Sequence, residues 1–334
     1  MIQESRKLAL LAAISLLVVG YSYLIRVSST IVNSHGEDKV MNIPMPSQNI
    51  ASSPESEFFD SKENEIELKA ASDSLLSSAK TAQNAPKKAS IKPLDEISAK
   101  AYLVGNVETK KKYFERNSLK QLPVASMSKL VTAVIASDIL LPTSVIEITE
   151  SEAMAPPDSS GVEAGEKYAL EEILYPMLLN SSNIAAEAIA SSTDRIKFLE
   201  LMSSKSWEIG MPQAYFADPS GVDPHNMASA NDIFMLARYL YESRPDILKI
   251  TRASGIITAT TSDHGAHNFE STHPFVNDIR FIGGKTGRTK EAGETMLTIM
   301  RINDQIIAFI VMGSGLGARA YDTNILIHEL EKII

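Results

Sequence analysis

The chain has 334 residues, a formal net charge of -9 and no cysteine, with 44% hydrophobic and 22% charged residues. This length allows one large domain or two smaller ones, and the composition is that of an ordinary globular protein. The negative charge argues against a nucleic-acid-binding protein, which would present a basic face. The lack of cysteine excludes disulfides, a cysteine nucleophile and thiolate metal sites, but it leaves the cellular compartment open.

Near the N-terminus, an uncharged run extends from Leu8 to Ile25. At about 1.5 Å per residue, its roughly 18 residues just cross a hydrocarbon core of about 30 Å. No small-x-small cleavage site follows closely, so the run predicts an uncleaved transmembrane helix, with a cleaved signal peptide as the alternative. Two basic residues precede the run and Arg26 alone follows it. This asymmetry weakly places the N-terminus in the cytoplasm and the rest of the chain outside.

The next segment loses hydrophobic periodicity and is rich in Ser, Asn, Pro, Lys and Glu. Such a composition cannot bury enough apolar surface to offset the entropy lost on ordering, which predicts a disordered linker. The predicted organisation is therefore a cytoplasmic tip and membrane anchor at residues 1–26, a linker at 27–94 and a folded domain at 95–334.

The folded domain carries strand and helix patterns in blocks. Two short strands come first, followed by a series of helical segments, three further strands and a closing helix. The strands are predicted at 101–106, 112–116, 279–285, 295–302 and 306–313, and the helical segments at 130–141, 170–191, 196–209, 230–241 and 322–333. This order predicts an α+β fold in which the terminal strands share one antiparallel sheet with helices on its faces.

Three short motifs carry polar groups suited to acyl transfer: Ser126-Met-Ser-Lys129, Ser181-Ser-Asn183 and Lys285-Thr-Gly287. Ser126 opens a predicted helix, and its i, i+3 spacing stacks it with Lys129. A serine hydroxyl is a weak nucleophile that needs a base, and a neutral lysine beside it can serve. The helix N-terminus also offers the backbone N–H of Ser126 to an oxyanion.

The other two motifs stand in suitable surroundings. Ser181 and Asn183 lie at a break between two helical pieces, and such a break can direct both side chains into a cleft. Lys285-Thr-Gly287 lies on a predicted strand, where Lys and Thr can bind a carboxylate and glycine lets a peptide backbone approach. None of the motifs is specific alone, since Ser-x-x-Lys also occurs at residues 77–80.

In this order, the three motifs resemble those of D-alanyl-D-alanine carboxypeptidases, which are low-molecular-weight penicillin-binding proteins related to β-lactamases. The resemblance extends to Asp218-Pro-Ser-Gly-Val-Asp223 and covers residues 99–334. It implies a β-lactamase/transpeptidase-like fold: an antiparallel sheet flanked by helices, with a mostly helical subdomain. It also implies a serine peptidase that trims peptidoglycan stem peptides ending in D-Ala-D-Ala, needs no cofactor or metal, and is inhibited by β-lactam antibiotics.

The resemblance implies catalytic roles for residues of the first two motifs. Ser126 would be the nucleophile that forms an acyl-enzyme, and Lys129 would be its general base. Ser181 would relay a proton between nucleophile, lysines and leaving group, and Asn183 would position the substrate.

The resemblance implies substrate-binding roles further along the chain. Lys285 and Thr286, next to Gly287 on the strand, would hold the terminal carboxylate of the substrate. The backbone N–H of Arg288 would complete an oxyanion hole with that of the nucleophile. Arg319 matches more loosely a position where these enzymes place a second cation for the carboxylate.

The sequence departs from the family pattern at three positions. Ser128, Ser182 and His273 stand where Thr, Gly and Asn are usual. The nearest alternative function is a DD-endopeptidase that cleaves peptidoglycan crosslinks with the same site. A β-lactamase is less favoured because no Glu-x-x-Leu-Asn motif follows Asn183, and an inactive wall-binding module is disfavoured because every polar group that the chemistry needs is present.

A cluster of potential metal ligands is the remaining alternative. Asp263, His264, His267, Glu270 and His273 lie in one short segment, and such residues can bind zinc. No His-Glu-x-x-His helix accompanies them, and the segment has the pattern of a loop or irregular hairpin. A surface loop without metal is therefore the favoured interpretation.

Overall fold

The computed structural model of this chain describes residues 93–156 and 160–334. The predicted membrane anchor and all but the last two residues of the predicted linker lie outside the described residues. Within the two described ranges, none of the helices combines the length and hydrophobicity needed to cross a membrane.

Strands lie towards both ends of the described ranges, with most of the helices between them, and a helix comes last. The strands are β1 Ala101–Asn106, β2 Lys112–Arg116, β3 Leu122–Pro123, β4 Val145–Glu147, β5 Lys167–Ala169, β6 Met227–Ala228, β7 Gly255–Thr258, β8 His267–Glu270, β9 Phe281–Thr289, β10 Gly293–Ile302 and β11 Gln305–Ser314. The α-helices are α1 Ser128–Ile139, α2 Glu150–Ala153, α3 Leu170–Tyr175, α4 Asn183–Ser191, α5 Arg195–Ile209, α6 Ala230–Ser243, α7 Pro245–Arg252 and α8 Arg319–Glu331.

A five-stranded antiparallel sheet contains the first two strands and the last three, in the order β2-β1-β11-β10-β9. The prediction that the terminal strands share one antiparallel sheet is therefore confirmed. Strand β9 forms one edge, so one side of its backbone is free to face a cleft. The short strands form three separate two-stranded pairs: β3 with β6, β4 with β5, and β7 with β8.

Both faces of the sheet are covered, and alternate residues of its strands face opposite cores. Leu103 and Ile310 pair across β1 and β11 and point to the larger core beneath the helical part. Val104 and Phe309 pair one residue along and point to a second core beneath α8. Burial on both sides explains the continuous apolar run of residues 306–312, because neither face of β11 meets water.

Helix α1 runs through the middle of the helical part. Every residue from Ser128 to Ala136 is buried, which explains why this stretch is small or apolar all round apart from Lys129. The helix starts two residues before the predicted Leu130. A 3-10 turn at Ala125–Met127 comes before it and carries Ser126, so this serine lies just outside the α-helix.

The predicted helical region 170–191 is one region with a break. Pro176, which has no N–H to donate, begins a π-helical turn. The turn ends at Ser181 with a left-handed φ of 68°. Ser182 then caps α4 by accepting a hydrogen bond from a backbone N–H of the first turn, and α4 starts at Asn183. The predicted break between two helical pieces is confirmed. Helix α7 and the short strands β3 to β8 were not predicted.

Candidate active site

The turn before α1 presses the first motif against the edge strand. Ala125 has a left-handed φ of 50°, uncommon for a residue with a side chain. A Cβ built on Gly287 of β9 would lie 2.8 Å from the backbone nitrogen of Ser126 and 2.9 Å from the Cβ of Ala125. Only glycine therefore allows the strand to pass this close to the nucleophile motif, which is the physical reason for Gly in Lys285-Thr-Gly287.

Lys129 is the second residue of α1 and has no exposed surface. Its Nζ donates to Ser126 Oγ at 3.0 Å, to the amide oxygen of Asn183 at 2.8 Å and to the backbone carbonyl of Ser220 at 2.7 Å. When the amine is neutral, its two protons can go to the oxygens of Asn183 and Ser220, and the contact with Ser126 then runs from the serine hydroxyl to the lone pair of Nζ. The arrangement can therefore accept the proton of the serine hydroxyl.

A second buried lysine serves the second motif. Lys285 Nζ donates to Ser181 Oγ at 2.8 Å and to the backbone oxygen of Thr286 at 3.0 Å. Burial holds the pKa of Lys285 well below its usual range, and the positive charges of Lys129 and Arg319 lower it further. Its ammonium is only 1% exposed, so it contacts Ser181 and does not open onto the cleft.

The cleft in front of these lysines has a volume of about 370 Å³. It is lined by Ser126, Asn180, Ser181, Asn183, Thr272, Thr286, Gly287, Arg288 and Arg319. Arg319 begins α8 and donates from Nη1 to the backbone oxygen of Gly287 at 3.2 Å. The pKa of Arg319 lies below its usual value, mainly because of burial. The carboxylate of Glu294 acts in the opposite direction, and the charge of Arg288 lowers the pKa further. A guanidinium in this position offers several N–H groups to an anion in the cleft.

All nine residues singled out from the sequence meet at this cleft. Seven of them line it, while Lys129 and Lys285 lie behind it and bind Ser126 and Ser181. Sequence reasoning missed Asn180, Thr272 and the Ser220 carbonyl. Ser220 lies in the segment Asp218–Asp223, which resembles the family, so its place in the chain was a usable signal. Its contribution is a backbone carbonyl, however, and the residue type gives no sign of that.

His273 is part of the core behind β9 and not of the cleft lining. It is 5% exposed, its Nε2 donates to the backbone oxygen of Leu297 at 3.0 Å, and its Nδ1 accepts from Phe275 N at 3.3 Å. Burial lowers the pKa of His273 to about 3, so the ring is neutral at physiological pH. The ring packs against the backbone of Gly284, where a Cβ would lie 2.9 Å from Nε2. The histidine therefore supports the strand that carries the third motif.

The candidate zinc ligands are bound to other groups. His267 Nε2 lies 2.7 Å from Glu166 Oε1, and the Tyr168 hydroxyl donates to Glu166 Oε2 at 2.7 Å. His264 stacks on Tyr168 with ring centroids 4.6 Å apart. In residues 93–156 and 160–334, no three His, Asp or Glu side chains are grouped to hold a metal ion.

Comparison with known proteins assigns the family. The family model for D-alanyl-D-alanine carboxypeptidases matches residues 83–315. The chain belongs to this family. It is 28% identical over 238 residues to a D-alanyl-D-alanine endopeptidase of Pseudomonas aeruginosa, with 68% of this chain and 75% of that protein covered. It is also 28% identical over 234 residues to a D-alanyl-D-alanine carboxypeptidase of Bacillus subtilis, with 65% of this chain and 58% of that protein covered.

A solved structure supports the same fold. The chain resembles a penicillin-binding protein of Listeria monocytogenes in its cefotaxime-bound form, with a TM-score of 0.61 and 25% identity over 70% of this chain and 96% of that one. The predicted fold, an antiparallel sheet flanked by helices, is confirmed, and so is the resemblance drawn from the three motifs. This member of the carboxypeptidase family is a serine-type DD-peptidase of the penicillin-binding type.

The close approach of Gly287 to the nucleophile turn leads to a prediction. In Gly287→Ala, the new methyl group would meet Ser126 N and, at 2.6 Å, Thr295 Oγ1. Either the strand or the serine turn must move, which displaces an oxyanion donor worth about 10²-fold in rate or more. We expect the second-order rate constant for acylation by a penicillin to fall by about that factor.

Gly315→Ala is the matched control, because a Cβ there would meet its nearest neighbours at 3.6 to 3.9 Å, which is ordinary contact. Both variants are compared with the parent after their circular dichroism spectra have shown them to be folded. A folded Gly287→Ala enzyme that acylates as fast as the Gly315→Ala control would show that this contact does not shape the oxyanion site.

Proposed function

We propose that the protein removes the terminal D-alanine from peptidoglycan stem peptides through an acyl-enzyme on Ser126. The observation that carries this proposal is the contact of Lys129 Nζ with Ser126 Oγ at 3.0 Å. The same amine bonds to the neutral oxygens of Asn183 and Ser220, which hold Nζ against the serine hydroxyl whose proton it accepts.

In the acylation step, Ser126 Oγ attacks the carbonyl carbon of the penultimate D-alanine while its proton moves to Lys129 Nζ. The backbone N–H groups of Ser126 and Arg288 stabilise the oxyanion of the tetrahedral intermediate. When the intermediate collapses, the C–N bond breaks and the proton reaches the leaving nitrogen through the Ser181 hydroxyl. D-alanine leaves as a free amine, and the rest of the peptide stays bound to Ser126 as an ester.

Deacylation reverses these roles with water in place of the amine. Water loses a proton to the Lys129 and Ser181 pair as its oxygen attacks the ester carbon. The bond to Ser126 Oγ breaks, and the serine recovers its proton from the lysine. The shortened stem peptide leaves as a carboxylate.

We assign the terminal carboxylate of the substrate to Thr286 and Arg319, both of which line the cleft. Lys285 is buried and bound to Ser181, which supports a role different from the direct carboxylate contact expected from the sequence. In this proposal Lys285 orients the Ser181 hydroxyl for proton transfer and does not touch the carboxylate.

A second candidate is cleavage of crosslinks by the same site. A pocket of about 360 Å³ shares Arg288 with the catalytic cleft and is also lined by Thr289, Lys290, Gly293, Glu294 and Leu316. A single D-alanine leaving group is too small to fill this pocket. The longer leaving group of a crosslink would extend into it, and it carries carboxylates for Arg288 and Lys290 to bind. The endopeptidase name of the Pseudomonas aeruginosa relative supports the same candidate.

Product analysis tests the proposed function. Mass spectrometry of a defined pentapeptide muropeptide after incubation with the enzyme should show loss of one D-alanine. Lys129→Ala should reduce this rate by about 10³-fold or more, because it removes the base, whereas Lys197→Ala, at an exposed lysine of α5, should leave it unchanged. A crosslinked dimer run in parallel would reveal the endopeptidase activity by the appearance of monomers. Intact pentapeptide with the parent enzyme, or full activity in Lys129→Ala, would contradict the proposal.

We further propose that residues 1–26 anchor the protein in the cell membrane as a single-pass helix, with the catalytic domain on the periplasmic or wall side. The apolar run from Leu8 to Ile25 supports the anchor, and the composition of residues 27–94 supports a flexible tether. A chain of roughly 65 flexible residues has an r.m.s. reach of about 40 to 50 Å, enough to range over the nearby wall.

Truncation tests the anchor. An exported chain that begins at Lys92 should leave the membrane fraction, while the full chain stays in it, as immunoblots of fractionated cells would show. The truncated enzyme should keep its activity on soluble pentapeptide, since the described site is built from residues beyond 93. A truncated chain that remains in the membrane, or that is folded yet inactive, would refute this domain organisation.

A further inference from the structure

The loop of residues 217–226 contacts the proposed general base through one backbone atom, the carbonyl oxygen of Ser220, and is itself densely bonded. Asn226 is completely buried near its end. Its Oδ1 accepts from the backbone nitrogens of Ala217 at 2.6 Å and Asp218 at 3.0 Å. Its Nδ2 donates to the backbone oxygen of Asp218 at 2.9 Å and to Ser128 Oγ at 3.0 Å. One amide side chain therefore joins the two ends of the loop to the start of α1.

Asp218 fixes the tip of the same loop. Its Oδ1 accepts from the backbone nitrogen and the hydroxyl of Ser220, at 2.6 and 2.9 Å, and from the backbone nitrogen of Gly221. Its Oδ2 accepts from the backbone nitrogen of Asp223. A carboxylate with this many donors holds a turn in one conformation, because a rotation of any of these peptides would break a charge-assisted bond.

The loop is bonded to α1 at Lys129, the proposed general base, and at Thr132. The backbone oxygen of Ser220 accepts from Lys129 Nζ at 2.7 Å, and that of Pro219 accepts from Thr132 Oγ1 at 2.6 Å. The two acceptors are neighbours in the loop, and the two donors lie one turn apart on α1. The direction of the Ser220 carbonyl, and with it the direction in which Lys129 presents its lone pair, is thus set by the loop.

The loop also holds the residue before the nucleophile. Asn226 Nδ2 donates to Ser128 Oγ, and that hydroxyl donates to the backbone oxygen of Ala125 at 3.0 Å. Gly221, with a φ of 86°, passes so close that an added Cβ would lie 2.0 Å from the same oxygen. The Ala125 peptide is therefore enclosed from two sides, which maintains its left-handed φ and aims the N–H of Ser126.

We propose that Asp218 and Asn226 are positioning residues that set the geometry of both the base and the oxyanion donor, without touching the substrate. This inference rests on the proposed roles of Ser126 and Lys129. It follows that loosening the loop should slow the chemical step while leaving the binding of a ligand's carboxylate intact, because Thr286 and Arg319 lie on other elements.

The test is Asn226→Asp, which keeps the side-chain size and an acceptor for the loop nitrogens. It replaces the amide donor with an oxygen that faces the backbone oxygen of Asp218 and the hydroxyl of Ser128. His225→Ala is the matched control, since this side chain belongs to the same loop but is 78% exposed and lies against Asp223. Stopped-flow acylation by a penicillin separates the dissociation constant of the first complex from the rate constant of acylation.

For Asn226→Asp we expect the acylation rate constant to fall by about 10²-fold, the usual cost of a misplacement near 1 Å, with little change in the dissociation constant. The pH profile of that rate constant should also shift, whereas His225→Ala should match the parent. A purely structural role would lower the melting temperature but leave the acylation rate constant per folded molecule unchanged, and that result would overturn the inference.

Three further outcomes separate a failure of the inference from a failure of the proposed function. An equal loss in His225→Ala would mean that any disturbance of the loop has the same effect, which overturns the specific role of Asn226. A parent enzyme that forms no adduct at Ser126 would overturn the proposed function together with this inference. A parent that is labelled at Ser126 beside an equally fast Asn226→Asp enzyme would overturn the inference alone.

Discussion

The burial of two lysine amines among neutral oxygens is the constraint on which the site depends. Burying an amine costs free energy unless its N–H groups find acceptors. Lys129 meets this condition with Ser126, Asn183 and Ser220, which come from three different parts of the chain. Lys285 meets it with Ser181 and a backbone oxygen of its own strand. Each amine thus draws a serine hydroxyl towards it, and the two serines reach the same cleft.

The fold brings these partners together by placing one helix end against one strand edge. Helix α1 is buried on all sides from Ser128 to Ala136, so the position of its first turn is fixed by the core around it. Strand β9 is an edge strand of the sheet and pairs there with β10, and its other edge passes the nucleophile turn at Gly287. Two contacts hold β9 in place: its pairing with β10, and the neutral ring of His273 packed behind it. The geometry of the catalytic groups at this edge therefore depends on core packing well beyond the residues that line the cleft.

Much of this could be predicted from the sequence because it depends on residue type and spacing. The apolar pattern of the last three strands indicated their shared sheet, and the i, i+3 spacing placed Lys129 beside Ser126. Other features depend on tertiary packing and carry little local signal. Helix α7 and the pair of β7 and β8 are short elements that periodicity does not resolve. The partner of Lys285 and the acceptor carbonyl of Ser220 depend on how distant segments meet, and Ser128 gains its role from its contacts with Asn226 and Ala125.

Peptide mapping of the enzyme after incubation with a penicillin tests the central claim most directly. The claim is that Lys129 activates Ser126 and no other serine in the cleft, although Ser181 lies in the same cleft beside a second lysine. We expect the intact mass to rise by one drug molecule and the added mass to map to Ser126, and a Ser126→Ala enzyme to stay unmodified. An adduct on Ser181 or on any other residue, or no adduct with the folded parent protein, would contradict it.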